Sequence, residues 1–132
     1  MNARLPSSVL NAGIALDQVS AQWDDDIVRQ ISEYIAIPAK SPGFDSDWAQ
    51  HGFIDTVVRN AASWIEAQKV EGLTLEVVRL PGRTPVLFFE VPATRAAVPG
   101  QTPQTVLMYG HLDKQPEFSG WRADLGPWTP SY

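Results

Sequence analysis

Trp23, Ile27, Ile31 and Tyr34/Ile35 recur at spacings of three and four, with polar residues between them. That period lines one side of a helix and predicts a first helix over residues 20–37, stopped by Pro38. The segment Ala39-Lys-Ser-Pro-Gly-Phe44 has the Ser, Pro and Gly content of a turn. A second helix is expected from about Asp45 to Val70, with Ile54, Val57, Val58, Ala61 and Ile65 as its buried stripe and Gly72 as its end. The period then drops to two. Leu73, Leu75 and Val77 alternate with Thr74 and Glu76, as in a half-buried strand. Pro81-Gly82-Arg83-Thr84 makes a turn, and Val86 to Val91 form a second strand. Pro92 to Pro103 read as a loop rich in Ala, Pro and Gly. Thr105 to Tyr109 are apolar at every position but the first, so they are expected as a third strand buried on both faces.

Two helices followed by three strands, with nothing to cover the other sheet face, suggest the opening of a larger α/β domain. Residues 1–20 contain scattered apolar residues and no continuous apolar stretch. They are read as an N-terminal extension or flexible lead, and residues 21–132 as the domain portion. The tail after Asp113 is irregular and aromatic. Trp121 and Trp128 there are expected mainly to anchor the segment on the core, with a cleft-lining role as the alternative.

Composition narrows the chemistry. The 132 residues suffice for one small domain. A net charge of −5 with no basic cluster argues against nucleic acid and anionic membrane as partners. No apolar run reaches the ~18 residues of a spanning helix, and a cytoplasmic location is expected. The chain has no Cys, which removes disulfides and thiolate metal sites. Any metal would be held by His and carboxylates.

Asp24, Asp25 and Asp26 fall in the first turn of the first helix. There they complement its positive end; three successive residues point to different sides, which does not suit a metal cluster. His51, beside Gly52, is expected as a surface or interface residue, with metal ligation as its alternative. The segment of most chemical interest follows the third strand: Gly110-His111-Leu112-Asp113. Ligands of α/β proteins gather at the C-terminal ends of central strands. Gly110 would let the chain turn out of the sheet. Asp113, two residues on, can share a side with His111. A metal-bound His usually gives its other ring N–H to a carboxylate, which sets its tautomer. His-x-Asp provides both partners, though the spacing alone is common. Dinucleotide and phosphate loops, a His-Glu-x-x-His helix and a nucleophile elbow are all missing.

The run Thr105-Val-Leu-Met-Tyr-Gly-His-Leu-Asp-Lys-Gln-Pro116, then Gly120-Trp121 and Gly126-Pro-Trp-Thr-Pro130, resembles the first metal-ligand region of the dinuclear zinc peptidases of family M20. That family includes carnosine dipeptidase, glutamate carboxypeptidase and aminoacylase. Upstream, Ile37-Pro38 and Ser41-Pro42 resemble its Ile-Pro-Ser turn. The resemblance implies the N-terminal portion of a three-layer zinc-peptidase catalytic domain, incomplete here. It implies His111 as a zinc ligand and Asp113 as the active-site carboxylate that orients it. It also implies two Zn²⁺ ions in the complete enzyme, a dipeptide or N-acyl amino acid as substrate, and a homodimer in the full-length protein.

The family's remaining ligands and its general-base Glu have no matching position before Tyr132, so this chain is expected to be an inactive fragment with one ligand of the site. Lys114 departs from the small apolar residue common after His-x-Asp and is expected to tune substrate contacts. Two alternatives stay open. One is a non-catalytic α/β interaction module, its third strand and Trp residues forming a sheet edge that pairs with another chain. The other is an N-acyl amino acid deacylase rather than a peptidase.

Overall fold

Asn11 opens the first helix: its side-chain oxygen accepts the Ile14 N–H at 3.1 Å, occupying one of the donors that a helix start leaves without a partner. The computed structural model describes residues 11–93, 100 and 104–132. Most of the loop expected over residues 92–103, and the first ten residues of the expected lead, lie outside them. The chain is a mixture of helices and a small antiparallel sheet, α/β in the general sense, and it divides into two units.

The first unit combines residues 11–36 with Trp121–Tyr132. Helix α1 spans Ala12–Gln22, a π-helical turn spans Trp23–Ile27, and α2 spans Val28–Ala36. Helix therefore begins inside the stretch expected as a flexible lead. α1 buries none of its residues, and Ile14, Leu16 and Val19 are exposed. Its amphipathic period begins only near Trp23, so apolar periodicity placed the start too late. Asn11 supplies the start signal instead. The acidic triplet falls in the π turn. Asp26 there pairs with Arg29 at 2.8 Å, and Arg29 also reaches Glu33 at 3.1 Å. In the tail, Arg122 pairs with Asp124, and Thr129 N–H closes a tight turn on the Gly126 carbonyl at 3.2 Å. The Trp23 indole N–H donates to the Tyr132 hydroxyl at 3.1 Å, so the aromatic tail is tied to the helical segment by a polar contact.

The second unit is Ile37–Gly120. Two helices stand where one was expected: α3, Trp48–His51, and α4, Phe53–Ala67. Gly52 separates them. It takes φ +69°, its N–H closes α3 on the Trp48 carbonyl at 3.1 Å, and α4 starts at the next residue. Left-handed backbone at a helix end is the conformation glycine adopts without steric cost. At the other end α4 stops at Ala67, not at Gly72, because Lys69 already turns left-handed at φ 54°. Gly72 serves the next turn: a Cβ there would meet Pro92 Cγ at 3.0 Å.

Strands β1 (Thr74–Val78) and β2 (Val86–Glu90) pair antiparallel, from Thr74↔Glu90 to Val78↔Val86. α4 packs on both. Ile54, Val57 and Val58 of the expected stripe are buried; Ala61 and Ile65 are half-buried. Fully burying one such aliphatic side chain contributes about 1.5–3 kcal/mol.

The expected third strand does not form. Residues 104–113 carry no helix or strand. Val106, Leu107, Met108 and Tyr109 are 84–91% exposed. A strand needs a neighbour to accept and donate its backbone hydrogen bonds. β1 and β2 use each other, and Val106–Tyr109 form no bridge with either. Apolar composition gave this segment a preference for the interior of a sheet without supplying the sheet. No helix among the described residues is long and apolar enough to cross a membrane.

Candidate metal-ligand segment

The exposed apolar run leads through Gly110 into His111. A Cβ at Gly110 would meet open space and its φ is not left-handed, so no steric demand for glycine operates there. His111 and Asp113 come together. Nδ1 of His111 lies 2.9 Å from the Asp113 main-chain carbonyl and 3.1 Å from Asp113 Oδ1. A carbonyl oxygen only accepts. Nδ1 therefore carries the proton and donates to both oxygens. In the neutral ring that arrangement puts the lone pair on Nε2, on a side chain that is 63% exposed. This is the form of imidazole that binds a metal, with the carboxylate behind it.

The residues after Asp113 hold the segment in place. Lys114 N–H donates to the Ala39 carbonyl at 2.8 Å, and the Lys114 carbonyl accepts from Ser41 N–H at 2.9 Å. This is a one-bridge parallel pairing of Lys40 with Lys114. The Lys114 ammonium donates to the Ile37 carbonyl. That carbonyl also accepts from Ala39 N–H at 2.8 Å, in a tight turn across Pro38. Lys40 Nζ meets Glu117 at 3.2 Å. At the centre, Ala39 is fully buried. Burial lowers the Lys114 pKa to about 8, because removal from water disfavours the charged amine. Sequence reading overlooked this contact. Its one signal was the pair Ile37-Pro38 and Ser41-Pro42, since a residue before proline is pushed toward extended backbone. A 77-residue separation leaves no trace in local periodicity.

The other histidine is engaged elsewhere. His51 Nδ1–H donates to Asp45 Oδ2 at 2.8 Å, and its ring tilts against Phe53 with centroids 5.7 Å apart. Asp45 also accepts from Asp47 N–H at 3.2 Å. The His51 bond, more than any other contact, holds the Asp45 carboxyl below its ordinary pKa. A separate open groove of about 370 Å³ lies between α3 and the hairpin turn, lined by Trp48, Asp55, Arg79 and Arg83 among others. Asp55 there is shared between Arg59 and Arg79. Among the described residues, no group of three or more His, Asp or Glu side chains is placed to hold a metal ion. His111 and Asp113 fit one ligand and its orienting carboxylate, and not a complete site.

No protein-family model matches the chain, and no curated protein matches it.

Proposed function

We propose that this chain is the N-terminal part of a zinc-dependent metallohydrolase of the M20 type, cleaving an amide bond in a dipeptide or N-acyl amino acid. One observation carries the reading. His111 is held by a carbonyl and a carboxylate in the tautomer that leaves Nε2 free. Bound zinc supplies a water of lowered pKa and a Lewis acid for the amide carbonyl. His111 would hold the metal through Nε2. Asp113 orients the ring and raises its basicity. A catalytic zinc takes about three protein ligands, and the others belong to sequence following these residues in the complete enzyme. In that enzyme Val106–Tyr109 form a central strand of a larger sheet, the position their apolar character suits.

The exposure of Val106–Tyr109 also favours a second reading, an interaction module that adds this segment to a partner's sheet. The complete gene product separates the two. It is expected to contain zinc and to hydrolyse dipeptides or N-acyl amino acids, and the ratio of the two activities distinguishes peptidase from deacylase. A purified full-length protein with no zinc and no turnover of either substrate class sinks the hydrolase.

A further inference from the structure

The residue after the His-x-Asp motif is a lysine whose side chain folds back to the Ile37 carbonyl rather than toward the solvent face of His111. Three hydrogen bonds from this one residue, two from its main chain and one from its ammonium, end on the short turn Ile37–Ser41. The turn is rigid for local reasons. Pro38 fixes its own φ, tight turns close across Pro38 and Ala39, and Ala39 is fully buried. By contrast, the chain immediately before His111 is almost wholly exposed and unpaired by any strand. The His111 ring therefore takes its bearings from the C-terminal side. Among the described residues its Nδ1 bonds to Asp113 alone, and Asp113 is covalently next to the clamped residue.

We propose that Lys114 is a positioning residue. Through its ammonium–Ile37 bond it clamps residues 113–114 to the Ile37–Ser41 turn, and so presents the Asp113 carbonyl and carboxylate to His111. The importance of that presentation for chemistry rests on the hydrolase reading; the clamp itself does not. Loss of the ammonium leaves the Ile37 carbonyl with one partner and the main-chain bridge with a single buried residue, Ala39, to hold it. With the turn held by the two main-chain bonds alone, the Asp113 carbonyl faces Nδ1 less persistently, and the imidazole proton exchanges more readily between nitrogens. Lys40–Glu117 adds a second, more exposed tie on the same two segments, and exposed pairs of that kind contribute little.

The test compares the 132-residue chain with K114M, which keeps length and volume without a donor, and K114R, which keeps the cation. Two signals are read without metal: the ¹⁵N shifts of the His111 ring, and hydrogen exchange of the amides of Ser41 and residue 114. The wild-type ring is expected to show protonated Nδ1 and bare Nε2. K114M is expected to move the ring toward mixed tautomers and to speed both amides about tenfold, the scale of one charge-assisted hydrogen bond. K114R is expected to restore both signals. The β1–β2 amides, such as Val77, are expected to exchange alike in all three. A K114M chain with an unchanged His111 ring, or loosening that spreads to the hairpin, overturns the proposal. Zinc titration of the full-length protein is independent: absence of zinc binding there removes the hydrolase and leaves the clamp standing.

Discussion

The two histidines of this chain make the same kind of bond with different surroundings. Each donates Nδ1–H to an aspartate, His51 to Asp45 at 2.8 Å and His111 to Asp113 at 3.1 Å. Asp45 is the more enclosed, its side chain 9% exposed against 37% for Asp113. It joins the turn entering α3 and accepts a main-chain N–H as well. His51 closes that arrangement and rests on Phe53. His111 has a main-chain carbonyl as second acceptor, an open Nε2 face, and a clamp behind its partner. A His–carboxylate pair is thus not itself a site. The two pairs differ in the number of acceptors on Nδ1 and in how far the carboxylate is enclosed.

The sharpest way to break this comparison is to remove each ring in turn. On the hydrolase proposal, His111→Ala in the complete protein is expected to lower kcat/KM by on the order of 10³-fold or more, since a metal ligand would be lost. His51→Ala is expected to stay within about twofold, the spread of a surface change away from the site. Steady-state kinetics at fixed zinc check both. Equal losses would erase the distinction between the two histidines. The carboxylates come next. Asp113→Asn is expected to cost about 10–100-fold in zinc affinity or activity, the usual scale for a group orienting a ligand; competition with a chelator measures it. On the same proposal, Asp45→Asn is expected to leave zinc affinity unchanged.

Asp45 shows instead in acid stability. Its folded-state pKa lies below its ordinary value, so the folded state binds protons less readily than the unfolded one. The stabilisation is present above the unfolded pKa, near 3.8, and is lost as pH falls through the folded value. Denaturant melts from pH 5 downward should therefore fall less steeply in Asp45→Asn than in the wild type. Lys114 shows at the alkaline end of the pH range. Its amine is lowered from 10.5 to about 8. Between those values the unfolded chain holds more protons, so stability rises with pH across that window. The same melts at pH 8 and pH 10.5 should show that rise in the wild type and lose it in Lys114→Met.

Much of the second unit was legible because its order is local. Alternation in Leu73–Val77 and the Pro-Gly turn specify a hairpin, and the period through Ile54, Val57 and Val58 specifies the face that covers it. The helix boundaries were less so. Gly52 carried the signal that splits the expected helix, but Lys69 took the left-handed turn that Gly72 was expected to take, and a lysine in that conformation has no sequence signature. His111 with Asp113 was legible from spacing. The tautomer was not, because it depends on a main-chain carbonyl whose direction no residue type encodes.

By itself the amino-acid sequence determined the hairpin, the buried face of α4, the absence of thiolate chemistry and the identity of the one His-x-Asp motif, all properties of neighbours within a few residues. The tertiary structure alone decided that Thr105–Tyr109 is not a strand here, since a strand exists only when another accepts its hydrogen bonds. It alone decided that Lys114 turns back to Ile37, since that bond joins residues far apart in the chain and depends on where the backbone brings them together.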